Sequence, residues 1–168
     1  MKTYYETITG RKLDLSHLNN DERKFLIVVQ ETYAKEKDWT EFASWWMKGF
    51  QRTTLSSDSV VYRLCQDLEA RLGIAQGKVA MPDYRDYLAD LIEERYGSRY
   101  RFCKKTGVVD PGQLSRVLAG RAEFSLEQLQ RILAALRATL VVRPQESLYA
   151  NISPEDACRA LTAASGYA

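Results

Sequence analysis

Histidine is nearly absent from this 168-residue chain, where His17 stands alone. Cysteine is scarce as well, and its three positions, Cys65, Cys103 and Cys158, are far apart and odd in number. With no CxxC pair and no Cys/His cluster, neither a zinc site nor a disulfide framework is expected. Isolated thiols suit a reducing compartment, so a cytoplasmic location is the expectation. Long apolar runs are missing too. None approaches the ~20 residues that a spanning helix needs, and the opening "MKTYYETITGRKLDL" lacks the apolar stretch of a signal peptide. Gly-rich phosphate loops and Ser/His/Asp arrangements are absent, and so are internal repeats. Nothing in the sequence brings His17 and Cys103 together as a catalytic pair. The chain therefore reads as a non-enzyme, with no cofactor or metal.

What is present is globular composition: 45% hydrophobic and 27% charged residues, with a net charge of only +2. The distribution of charge says more than its sum. Residues 1–82 hold 12 basic and 11 acidic side chains, whereas residues 98–143 hold nine basic against three acidic, Asp110, Glu123 and Glu127. Such asymmetry is the footprint of a segment that binds a polyanion.

Apolar periodicity predicts a mainly α-helical chain. The opening "YYETITG" admits a brief strand or an extended arm. A helix follows within residues 14–38, with Asn19 or Asn20 as cap and Phe25, Leu26, Val28, Val29 and Tyr33 as its apolar face. A second helix in residues 38–52 starts at Asp38 or Thr40 and carries Trp39, Phe42, Trp45, Trp46 and Phe50; aromatics at this spacing build a core rather than a ligand cage. A third uses Val60, Val61, Leu64, Cys65, Leu68 and Leu72, with Gly73 as its stop. Gly77 and Pro82 then break the pattern. The expected division is a helical domain over 1–80, a second domain over 81–145, and a tail over 146–168 whose "SPEDACRAL" starts a short helix. Residues 83–97 read as an amphipathic helix, Tyr84, Tyr87, Leu88, Leu91 and Ile92 inward. Its acids Asp83, Asp86, Asp90, Glu93 and Glu94 form a solvated face.

The most informative stretch is "SRYRFCKKTGVVDPGQLSRVLAGRAEFSLEQLQRILAAL", residues 98–136. Ser98 caps a short helix that buries Phe102 and Cys103, and Gly107 ends it because glycine takes the left-handed cap without a Cβ penalty. Val108 enters the turn. Asp110 caps the next helix, with Pro111 at its first position, where a missing N–H costs nothing. Leu114, Val117 and Leu118 face inward and Gly120 stops it. Ser125 caps a last helix with Leu126, Leu129, Ile132, Leu133 and Leu136 buried. Helix, tight turn, helix is the arrangement that holds a second helix out toward a DNA major groove. Gly112, Gln113, Ser115 and Arg116 are the polar positions left outward on that helix, and Gln and Arg pair bidentately with adenine and guanine. Ser98, Arg99, Lys105 and Arg121 flank the two helix N-termini as phosphate contacts.

This segment resembles the Cro/cI-repressor-like, or Xre-type, helix-turn-helix family over about residues 83–143. "SRYRFCKKTGV" follows the family's Thr/Ser-x-x-x-Leu-Ala-x-x-x-Gly-Val pattern, and "LSRVLAGRAEFSLEQLQRILAAL" looks like its Val-Ser-Arg-x-x-x-Gly-Lys/Arg run and closing helix. "SRVLAGR" is most similar to the HigA-like antitoxin branch. "VVDPG" gives one residue more than the family's usual turn, which leaves open which of Gly112, Gln113 and Arg116 faces the bases. The resemblance implies a lambda-repressor-like domain binding double-stranded DNA, with a short strand after its last helix at residues 139–143, through which homodimers pair. It implies a repressor acting on a palindromic operator. It implies alternatively an antitoxin-like protein whose N-terminal domain neutralises a protein partner.

Overall fold

The computed structural model describes residues 4–35 and 38–141, and the chain divides into one unit ending at Met81 and another beginning at Pro82. The described residues are mainly α-helical, with a single two-stranded sheet. No helix among them is long and apolar enough to cross a membrane.

The first unit opens with strands β1 (Tyr4–Glu6) and β2 (Lys12–Asp14), antiparallel with Tyr5 opposite Leu13. Alternation sends both of these side chains inward and their neighbours out. Gly10, at φ +83°, closes the turn between them. Tyr4–Glu6 is thus one strand of a hairpin rather than an isolated arm. Asn19, not Asn20, caps helix α1 (Asn20–Lys35): its side-chain oxygen accepts from the N–H groups of Asp21 and Glu22, while Glu22 accepts from the Asn19 N–H. Leu26, Val29 and Tyr33 face the core, but Val28 is 48% exposed, one step off the buried stripe. Asp38 caps helix α2 (Trp39–Gln51) and Ser59 caps α3 (Val60–Ala75). The aromatic residues do build a core: Tyr33 meets Phe42 edge-on at 5.2 Å, and Tyr62 packs on Trp46 at 5.4 Å and Phe50 at 4.9 Å. Gly73 is not a stop. It lies inside α3, where its bare Cα lets Val79 and Trp39 close in.

In the second unit Asp83 and Asp86 form a capping box at the start of helix α4 (Tyr84–Tyr96). Gly97 ends it at φ +73°, and Ser98 at once caps helix α5 (Arg99–Thr106). Gly107, at φ +66°, ends α5; Asp110 caps helix α6 (Pro111–Leu118); Ser125 caps helix α7 (Leu126–Ala135). Leu88, Ile92, Phe102, Cys103, Val109, Leu114, Ile132 and Leu136 form the core. Burial of each such large apolar side chain stabilises the unit by roughly 1.5–3 kcal/mol.

Three expectations change here. Val109, not Val108, is the buried valine of the turn, with Val108 only partly covered. Leu126 is 67% exposed, because the first turn of α7 precedes the stretch that meets the core. The strand expected at 139–143 is not formed over Thr139–Val141, where no described strand lies alongside to complete a ladder. Val142 and Arg143 lie outside the described residues, as do the expected tail helix and Cys158.

Candidate nucleic-acid interface

The helix pair α5–α6 is assembled by local chemistry. The Ser98 hydroxyl accepts from the Arg101 N–H at 3.2 Å, which leaves the N–H groups of Arg99 and Tyr100 unbonded at the start of α5. The N-terminus of α6 is different. Pro111 has no N–H, and those of Gly112 and Gln113 both donate to Asp110 Oδ1, at 2.8 and 3.1 Å. A carboxylate already occupies that end, so of the two helix N-termini expected to receive phosphates only that of α5 leaves N–H groups open. Gly112 gives the Asp110 carboxylate room: a Cβ there would sit 3.0 Å from Oδ1.

The loop after α6 is pinned. Gly120 turns at φ +70°, and the Arg121 N–H donates to the Arg116 carbonyl at 2.8 Å. Glu123 accepts from Arg85 Nη2 at 2.7 Å and from the Tyr84 hydroxyl at 2.8 Å, tying the loop to the start of α4. Partial burial, with the Glu123 bond second, raises the Tyr84 phenol above its ordinary pKa.

Cations sort into two groups. Arg85 is neutralised by Glu123 and Asp83, and Arg131 pairs with Glu127 at 3.5 Å. Arg99, Arg101, Lys104 and Lys105 on α5, Arg116 on α6 and Arg121 after it are all exposed, and none pairs with a described carboxylate. Lys104 lies over the Tyr100 ring and Lys105 over Tyr96, at 6.0 and 5.8 Å, contacts that orient an ammonium without cancelling its charge. Tyr100 is itself 63% exposed among these cations.

Of the base-contact candidates, Ser115 and Arg116 are exposed on α6, and Gly112 is exposed but carries no side-chain group. Gln113 is partly buried and engaged. Its Nε2 donates to Gln128 Oε1 at 2.9 Å, and Gln128 Nε2 donates back to its Oε1 at 2.8 Å. Of the phosphate candidates, Arg99, Lys105 and Arg121 are open to solvent, and Ser98 keeps its hydroxyl hydrogen after capping. Gln128, Arg101, Lys104 and Tyr100 were not singled out by sequence. The helical spacing of Tyr100 and Lys104 was the only signal available for that pair.

Elsewhere, Cys103 is buried, and desolvation with the nearby Asp110 charge raises its thiol pKa, the reverse of a reactive cysteine. His17 is exposed 3.8 Å from Asp14. No group of three or more metal-ligating side chains occurs among the described residues. No family model, curated protein or solved structure matches the chain.

Proposed function

We propose that the second unit is a sequence-specific DNA-binding domain of the Cro/cI-like type, and that the protein is a transcriptional repressor acting as a homodimer on a palindromic operator. The observation that carries this reading is the set of exposed, unpaired cations on α5, α6 and the loop after them, beside a helix whose outward side chains are Ser115 and Arg116. Phosphates engage Arg99, Lys105 and Arg121, with the open N–H groups at the start of α5. Arg116 reads a base edge in the major groove, its planar fork matching guanine O6 and N7. Half-sites lie about one helical turn apart, ~34 Å. Bound protein then occludes the promoter.

The test is a fluorescence-anisotropy titration of the full chain with its own upstream duplex and with a random duplex, at two salt concentrations. Tight upstream binding that weakens steeply with salt is expected, and Arg116→Ala is expected to lower affinity and relax sequence choice. No binding to either duplex at low salt would overturn the reading. A second reading keeps the same DNA-binding unit and makes the protein antitoxin-like, with the first unit holding a protein partner. What favours it is that the first unit has a hydrophobic core of its own. Co-purification of a stoichiometric partner that survives removal of DNA separates the two.

A further inference from the structure

Gln113 and Gln128 occupy the same position, the third residue, of two consecutive helices. Asp110 fixes the backbone of one by accepting the Gln113 N–H at 3.1 Å, and Ser125 fixes the other by accepting the Gln128 N–H at 3.2 Å. Their side chains then meet and exchange both hydrogen bonds, at 2.9 and 2.8 Å, in a partly buried setting. A primary amide has one edge on which its oxygen lone pair and an N–H lie side by side. The reciprocal ring consumes that edge on both partners. Adenine recognition by glutamine uses the same edge, since the amide accepts from N6 and donates to N7 together. What Gln113 has left is one N–H and one lone pair on different edges, good for single bonds only.

We propose that Gln128 is a specificity-determining residue that acts by positioning: it closes the Gln113 amide into a pair, withholds it from adenine, and leaves base reading by α6 to Ser115 and Arg116. The inference rests on the DNA-binding reading above and deepens it. It reverses the role expected for Gln113 from sequence, where a glutamine on the outward face of α6 reads as a base contact.

The test selects bound sequences from a randomised duplex library with the full-length chain, in four forms: wild type, Gln113→Ala, Gln128→Ala and the double variant. The expected result is the same preferred sequence for wild type and Gln113→Ala, with affinities within about twofold. Gln128→Ala frees the amide and gains a preference for adenine at one position per half-site, of about tenfold, the scale of a good bidentate pair. The double variant loses that gain. Loss of a preferred adenine in Gln113→Ala would overturn the proposal, because the paired amide would then be reading bases. An unchanged preference in Gln128→Ala would overturn it as well. Thermal unfolding of the same four proteins separates this failure from failure of the DNA reading. A cycle in which the two substitutions are non-additive shows the pair present whether or not DNA binds, and additive effects show it absent and end the proposal. Absence of any selected sequence from wild type alongside a coupled cycle would overturn the DNA reading and, with it, the specificity role.

Discussion

Asp67 accepts three hydrogen bonds in the interior of the first unit: from the Tyr5 hydroxyl at 2.6 Å, the Ile8 N–H at 2.7 Å and Arg71 Nε at 2.7 Å. Arg71 also donates to the Glu6 carbonyl at 3.2 Å, so one carboxylate and one guanidinium fasten the hairpin to α3. Removing one partner of a buried ion pair strands the other. Asp67→Ala is therefore expected to destabilise the first unit by about 3–5 kcal/mol, read from chemical denaturation followed by tryptophan fluorescence; a loss below 1 kcal/mol would mean that Arg71 finds water. Tyr5 gives a pH signature. Burial first, and the Asp67 charge second, raise its phenol well above the ordinary value. The stabilisation is complete below the unfolded phenol pKa of about 10 and is lost as pH rises from there toward the folded value. Stability of the wild type should fall more steeply above pH ~10 than that of Tyr5→Phe, which has no phenol to ionise. Cys65, also raised by burial, contributes equally to both proteins and cancels in the comparison. None of this network was legible in the sequence. Asp67 sits among the polar positions of its helix, and nothing local links it to a tyrosine at the start of the chain. The Gln113–Gln128 pair was hidden for the same reason: a pairing between helices depends on how they dock, which spacing within one helix does not encode.

Local rules did fix where most elements begin and end. Asp38, Ser98, Asp110 and Ser125 act as caps because a short oxygen-bearing side chain before an apolar-periodic run satisfies N–H groups that the helix leaves open. Gly107 and Gly120 act as stops for an equally local reason, the left-handed φ. Gly73 misled because it follows an apolar run in the same way, yet its purpose is the close approach of Val79 and Trp39. The run at 139–141 misled because β-branched alternation makes a strand only when another strand accepts its ladder. The two kinds of glycine should respond differently to substitution. At Gly107 nothing lies within 4 Å of an added Cβ, so Gly107→Ala should cost only the backbone term, about 1–2 kcal/mol. At Gly73 an added Cβ would fall 2.4 Å from Val79 Cγ2. Gly73→Ala should cost about 1–3 kcal/mol through overpacking. The second substitution Val79→Ala should recover part of that loss, whereas no neighbouring change should rescue Gly107→Ala. Equilibrium unfolding of the three variants and the double checks this. Failure of Val79→Ala to help would show that α3 bends away from the clash.

For the molecule as a whole, the relevant quantity is charge that has no internal partner. The sequence showed nine basic residues against three acids over 98–143, but it did not show which of them spend their charge on one another. Arg131 is matched by Glu127, whereas Lys105 and Arg121 have no described acid beside them. Each cation that neutralises a phosphate releases a counterion and adds about 0.9 to the slope of log affinity against log salt. Lys105→Ala and Arg121→Ala should each flatten that slope by about one, with the preferred sequence unchanged. Arg131→Ala removes a charge already balanced within the fold, so it should leave the slope where it was, although it alters net charge as much as the other two. Anisotropy titrations of one duplex across a salt series decide between contact and bulk attraction. Equal flattening by all three variants would mean that DNA senses only the net charge of the unit. Flattening by Lys105→Ala and Arg121→Ala alone would place the phosphates along α5 and the loop after α6, on either side of the exposed Arg116.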